Sequence, residues 1–447
     1  MSKNKKPKTE KPSKPKRQRQ PNPWKGRDIR WEKLDNTARL FPVIAGEDMT
    51  SVYRISVTLS EEIDPALLQQ ALDTVLPRFQ GFDLRLRSGL FWHYFEENGK
   101  RAPRVQLEGR FPCRYIRPNR NNNYMFRVTY YKCRLNLEVF HVLTDGMGGL
   151  NFIRELCYQY LRLKHPQLHE RMGDALSADT SLNREDSFIK HYRQKAKRGY
   201  QSKRAYLLKG ERLPDGALGV MHGYTELNAL KALCKEKGLT INEYLVACFI
   251  WGVYTECLNR QSSKKPIRVA VPVNLRPYFN SNTSKNFFVP VSVEFYPQHS
   301  EHSFEEICAA VKESLKSQLD KEHLERLISY NVASEKKLWA RLAPLPLKRI
   351  IMRHVYNVSA LANTTTLTNI GGISFEEEYS PYIKAFHAFL PTSKGQGVRS
   401  TVCSFDGRLI FTFSYNIKDT SAQRGFFRRM SADGLQVELE SNGVSYE

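Results

Sequence analysis

The feature of this sequence best suited to chemistry is a histidine followed four residues later by an aspartate-glycine pair. It reads His141-Val-Leu-Thr-Asp145-Gly146, with Gly148 and Gly149 close behind. An imidazole with an ordinary pKa near ~6.5 can take a proton from an attacking hydroxyl or amine and return it to a leaving group, a role worth about 10² to 10⁴ in rate. The glycines leave the surrounding backbone free of bulky side chains, and Asp145 supplies a carboxylate nearby. A purely structural account also fits, in which His141 ends a strand and Asp145 caps the following helix.

Other chemistries find less support. There is no GxSxG elbow and no GxxxxGK[ST] phosphate loop. The eight cysteines (Cys113, Cys133, Cys157, Cys234, Cys248, Cys257, Cys308 and Cys403) are scattered without a CxxC pair, and read as reduced core thiols of a cytoplasmic protein. His165 and His169 stand four apart, but Pro166 lies between them and no third ligand motif accompanies them, so no metal is expected.

The elements around His141 are those a positioned base needs. Alternation from Tyr53 to Leu59 predicts a half-buried strand, and Asp64-Pro65 opens a helix carrying Leu68, Leu72, Val75 and Phe79. Two further strand patterns, Arg127 to Tyr131 and Leu135 to Phe140, precede the motif, and the second runs directly into His141. Leu150, Ile153, Leu156, Cys157, Tyr160 and Leu161 then mark an amphipathic helix. In the second half the sequence predicts a helix capped at Thr225 and stopped at Gly238. Another has Thr240 and Glu243 spaced as a capping box and contains the apolar run Tyr244 to Leu258. A strand from Ile267 to Val273 ends in Asn274-Leu-Arg276, a helix starts at Ser303 with Glu306 completing a second box, and strands at Arg408 to Tyr415 and Leu435 to Leu439 close the chain. The fold class is α/β or mixed α+β, with mixed sheets and no internal repeat.

A length of 447 residues favours two domains. Residues 1–23 form a basic tail, with seven Lys, two Arg and one Glu in the first twenty, and its composition predicts disorder. Residues 24–215 form a first subdomain, which carries His141 and ends in a basic linker, and residues 216–447 form a second. The aromatic-bearing segment Trp24 to Pro42 is expected to wrap the first. No apolar run reaches the ~18 residues of a membrane span, and the basic N-terminus has no apolar stretch behind it, so no signal peptide is expected. The formal charge of +23 attracts anions: coenzyme A phosphates, an acidic carrier protein, anionic lipid or nucleic acid. Without a helix-turn-helix, zinc-finger or RNP motif, no specific nucleic-acid partner is expected. The basic amphipathic stretch Leu342 to Val355 suits packing on the domain or, alternatively, a peripheral place on an anionic membrane.

Taken with further motifs, the chain resembles the HxxxDG acyltransferases, a superfamily of alcohol acetyltransferases, peptide-synthetase condensation domains, polyketide-associated acyltransferases and plant BAHD enzymes. Beside His141 to Gly146, the resemblance rests on Trp31 to Pro42, Thr240 to Ala247, Val271 to Arg276, Asn286-Phe-Phe and Thr368-Asn369-Ile-Gly371-Gly372. It covers nearly the whole chain after the tail and looks most like bacterial alcohol acetyltransferase-like proteins. The BAHD signature DFGWG is missing, and no adenylation or carrier region is attached.

The resemblance implies two chloramphenicol-acetyltransferase-like domains with a tunnel between them and His141 midway as general base. Acyl-CoA or an acyl carrier protein would be the donor, and a hydroxyl or amine the acceptor. No cofactor is held permanently. Asp145 would point away from substrate and pair with Arg276. Gly146 would permit a close approach or a positive φ, or simply cap the helix. Thr368 and Asn369 would donate to an oxyanion or contact substrate, or serve as ordinary turn residues. The competing reading is a non-catalytic basic protein associated with membrane or nucleic acid.

Overall fold

The computed structural model describes residues 30–172, 183–193, 203–299, 301–337 and 341–444. The tail 1–23 and parts of the basic linker lie outside the described residues.

Three sheets organise the chain. The first has five strands in the order Ile383–Phe389, Val52–Leu59, Arg134–Phe140, Phe126–Tyr131, Gln106–Leu107, antiparallel except for the last pair. The second has seven, in the order Phe288–Phe295, Ile267–Asn274, Thr365–Gly372, Val398–Phe405, Arg408–Tyr415, Gly219–Glu226, Glu438–Ser441, with parallel pairing only around Thr365–Gly372. A three-stranded sheet joins Trp31–Lys33, His93–Glu97 and Leu84–Ser88. Strands and helices are mixed in both halves of the sequence, each half with its own large apolar core, so the architecture is mixed α/β. The strand Ile383–Phe389 crosses that division. It comes from the second half of the sequence, yet it pairs with Val52–Leu59 and sends Ile383, Phe386 and Ala388 into the first core.

Local sequence accounts for most of these elements. The helix Pro65–Val75 begins at Asp64, whose carboxylate accepts from the N–H groups of Ala66 (2.7 Å) and Leu67 (3.1 Å). The helix Ile241–Gly252 starts in a complete capping box, with Thr240 and Glu243 each accepting from the other's N–H.

Several expectations need correction. The strand Val52–Leu59 is buried on both faces, because its polar side chains find partners on the neighbouring strand. Arg54 bonds Glu138 at 2.6 and 2.8 Å, and Ser56 bonds Asn136 at 2.7 Å. Thr225 caps no helix; it lies buried in the strand Gly219–Glu226, and the helix Leu227–Glu236 follows. That strand is hard to read because it contains glycines. Side chains at Gly219 and Gly223 would collide with the rings of Tyr415 and Phe427. Ser303 does cap the helix Phe304–Gln318, but the Glu306 carboxylate meets His302 Nδ1 at 2.9 Å, not the Ser303 backbone. The last strand lies at Glu438–Ser441, shifted from Leu435–Leu439. Trp31 is largely exposed instead of entering a core.

Candidate active site

The strand Arg134–Phe140 delivers His141 to the end of the first sheet, where its N–H donates to the Ser51 carbonyl at 2.9 Å. Phe41 stacks on the imidazole (centroids 4.6 Å apart, planes 17° apart), Tyr53 meets it edge-on at 5.1 Å, and Phe288 lies at 5.8 Å. Protein encloses the ring densely, yet part of its surface stays accessible. Burial pushes its pKa below the ordinary 6.5, and Arg399 acts in the same direction. Asp145, a bond to its own backbone and Asn286 oppose the shift without reversing it. The imidazole is therefore neutral at neutral pH.

The tautomer follows from its neighbours. Nδ1 lies 3.1 Å from Asn286 Oδ1, and the Asn286 amide nitrogen donates to Asp35 at 3.0 Å, which fixes the amide with its oxygen toward the ring. Nδ1 thus carries the proton, and Nε2 keeps its lone pair. Asp35 is in turn held by the N–H of Ala38 at 2.7 Å. Its burial raises its pKa to about 6, despite the hydrogen bonds from Asn286 and Ala38. Sequence reasoning leaves Asn286 out of the catalytic set, since an ordinary turn role explains it equally well, and misses Asp35. The one signal was their presence in the motifs Asn286-Phe-Phe and Trp31 to Pro42.

Asp145 caps the helix Gly146–Lys164, accepting from Met147 N (3.2 Å) and Gly148 N (3.3 Å). The same carboxylate pairs with Arg276 at 2.8 and 3.1 Å and accepts from Phe287 N at 3.2 Å. Arg276 also donates to the carbonyls of Thr283 (2.8 Å) and Lys285 (2.7 Å). The pair therefore clamps the loop 283–287 beside the helix start, and Asn286 sits on that loop. Thr144 adds a bond to the Ser284 carbonyl at 2.6 Å.

Gly146 is the first residue of that helix. Its φ is not positive, and a Cβ there would meet nothing within 4 Å. The tight positions are its neighbours. A Cβ on Gly148 would collide with Thr144 Oγ1 and come within 2.9 Å of the Ser284 carbonyl, and one on Gly149 would come within 2.5 Å of the Tyr53 hydroxyl.

Thr368 and Asn369 lie on the strand Thr365–Gly372 in the second sheet, whereas the strand leading into His141 belongs to the first. Asn369 is committed to local bonds, donating to Asn242 at 2.7 Å and accepting from Gly371 N at 2.8 Å. The buried hydroxyls of Thr368 and of its register partner Thr401 have no hydrogen-bond partner among the described residues.

A cavity of about 830 Å³ lies alongside, lined by residues that include Trp31, Arg39, Trp92, His93, Glu335 and Arg341. His141 does not line it. The two are joined by the segment 34–41, whose Leu34 and Arg39 face the cavity while Phe41 stacks on the imidazole. Among the described residues, His299, His302 and Glu306 bring three possible metal ligands together. Both His302 nitrogens are already used, Nε2 by backbone N–H groups and Nδ1 by Glu306.

No family model matches the sequence, and no curated protein matches it. Solved structures match along nearly its whole length. Polyketide synthase associated protein 5 from Mycobacterium tuberculosis is 15% identical, with 93% of this chain and 98% of that one aligned and a TM-score of 0.58. Fusarium sporotrichioides TRI101, complexed with coenzyme A and T-2, is 10% identical over 92% of this chain and 100% of that one, with a TM-score of 0.57. The nonribosomal peptide synthetase FmoA3 is 15% identical over 91% of this chain, at a TM-score of 0.58; this chain spans 42% of the synthetase's length. At these identities the likeness is one of fold.

Proposed function

We propose that the chain is an acyl-thioester-dependent acyltransferase that transfers an acyl group from acyl-CoA to the hydroxyl of an alcohol or lipid-like acceptor, with His141 as general base. The observation that carries this reading is the Asn286 amide oxygen 3.1 Å from Nδ1, an acceptor that keeps the proton there and leaves Nε2 of a neutral imidazole free to accept another. Nε2 takes the acceptor's hydroxyl proton as its oxygen attacks the thioester carbonyl carbon. As the tetrahedral intermediate collapses, the carbon–sulfur bond breaks and the proton passes from Nε2 to the sulfur, releasing the thiol and the ester.

Asp145 and Arg276 are structural in this scheme, fixing the helix start and the loop that carries Asn286. The unpartnered hydroxyl of Thr368 is the better candidate for an oxyanion donor, since Asn369 is held by Asn242 and Gly371. The fold shared with a protein solved with coenzyme A supports the choice of donor, and an acyl carrier protein presenting the same phosphopantetheine arm suits the site equally.

The test is thiol release from acetyl-CoA and longer acyl-CoAs, with and without a panel of alcohols and amines, in the wild type and in His141→Ala. Acceptor-dependent release that is lost in the variant is expected. Acceptor-dependent release that survives in a folded His141→Ala protein would remove the histidine from the reaction.

A further inference from the structure

The helix Leu345–Ser359 is turned the wrong way round for a water-facing helix. Of its fifteen residues only Leu345 and Lys348 are buried. Leu347, Ile350, Ile351, Val355 and Val358 recur at helical spacing and are 38% to 69% exposed, and Leu342, just before the helix, is 62% exposed. An apolar stripe of this size left in contact with water marks an interaction surface.

The stripe is held rigidly at its start. Leu345 N donates to the Leu90 carbonyl at 2.8 Å. Lys348 Nζ donates to the Phe91 carbonyl at 2.9 Å and lies 3.6 Å from the Trp92 ring centre. These bonds bring the exposed Leu90 and Phe91 to the same end of the helix. On the inner side, the Tyr356 hydroxyl meets Met49 Sδ at 3.3 Å, and the helix packs on Phe41–Ile44, whose Phe41 stacks on His141.

Charge identifies what covers this face. From Arg341 to Ser359 there is no Asp or Glu, and Arg341, Arg349 and Arg353 are exposed along with the apolar residues. A second copy docked about a two-fold axis would press these arginines toward their own equivalents. The chain's own residues 1–23 are basic and hold no apolar residue beyond Met1, so they have nothing to lay on the stripe. A surface that accepts apolar side chains and carries negative charge satisfies both halves of the patch.

We propose that Leu345–Ser359, together with Leu342 and Leu90, is a docking face for an anionic lipid bilayer, with the apolar stripe at the acyl boundary and the arginines among the headgroups. The face stands independently of the chemistry at His141. The helix and Phe41–Ile44 would then stand between His141 and the lipid.

Flotation of the full chain with phosphatidylglycerol/phosphatidylcholine vesicles, and with phosphatidylcholine alone, tests this in the wild type, Ile350→Glu/Val355→Glu and Arg349→Glu/Arg353→Glu. Circular dichroism establishes that each protein is folded, and sedimentation reports its oligomeric state. Binding is expected only with the anionic vesicles and should fall roughly tenfold or more in both double variants. Raised salt separates the basic tail's purely electrostatic attraction, which both variants retain, from insertion of the stripe, which Ile350→Glu/Val355→Glu loses. Equal partition of wild type and Ile350→Glu/Val355→Glu would overturn the proposal. So would a wild-type dimer that the apolar variant converts to monomer.

Discussion

Asn286 lies 145 residues from His141 in sequence and 3.1 Å from its Nδ1 in space, with its amide oriented by Asp35. The proton position on His141 is thus set by a side chain from the other half of the chain. Asn286→Ala removes the acceptor on Nδ1 and frees the ring to rotate or change tautomer. The expected result is a fall in kcat of roughly tenfold to a hundredfold with little change in KM, because a small misplacement of a reacting group has effects of that size. Asn286→Asp, which retains an acceptor oxygen, should recover part of the loss. A change confined to KM would place Asn286 with substrate binding instead.

The pH profile should show the same arrangement. His141 must be neutral to act, and its pKa lies below 6.5, so kcat/KM should stay level through neutral pH and fall only as pH drops below that value. An acid limb centred above 6.5 would contradict the buried environment. Stability has two opposing contributions. The lowered pKa of His141 gives stability that is present above 6.5 and is lost as pH falls. The Asp35 carboxyl, raised to about 6 from an ordinary 3.8, gives stability that is full below 3.8 and is lost as pH rises through about 6. Asp35→Asn should abolish the second trend and leave the first unopposed, so that stability in neutral buffer rises relative to stability in mildly acidic buffer; denaturant titration at both pH values measures it.

Asp145 and His141 should separate cleanly. Asp145→Ala leaves Arg276 without its carboxylate and Phe287 N without its acceptor, and it uncaps a nineteen-residue helix, so a loss of about 3 to 5 kcal/mol in stability is expected along with activity. His141→Ala should abolish turnover and unfold close to the wild-type midpoint. Equal destabilisation of the two variants would show that the imidazole is part of the scaffold.

The glycines give a contrast within one turn. Gly146→Ala meets open space at the start of a helix and should change stability by less than about 1 kcal/mol, so any activity it loses reports on substrate. Gly148→Ala must displace Thr144 or the Ser284 carbonyl and should lower stability by about 1 to 3 kcal/mol or more. Thermal unfolding of the pair decides which glycine the turn requires.

What is legible in the sequence is what is local. The strand into His141, the cap at Asp64 and the capping box at Thr240 follow from neighbouring residues alone. The partner of Asp145 is reachable only through the family resemblance, since 131 residues separate it from Arg276. Asp35 and Asn286 are ordinary turn residues until a tertiary contact joins them across 251 positions. Thr225 misleads because a threonine before a helical pattern resembles a cap, whereas here it lies inside a strand whose glycines make room for Tyr415 and Phe427. Arg54 misleads in the opposite way, a charge that marks an exposed face by pattern yet is buried against Glu138.

The strand Ile383–Phe389 has a consequence for how the molecule comes into being. Until it docks, one edge of the first sheet, the strand Val52–Leu59, has no partner along its outer side. During synthesis the opening half must therefore wait for more than three hundred further residues before that edge is sealed, leaving an open strand prone to mispairing in the meantime. Halves made separately would each lack this pairing. A chain truncated before residue 383 would leave that edge open for good, and its defect would appear first as aggregation, before any question of catalysis arose.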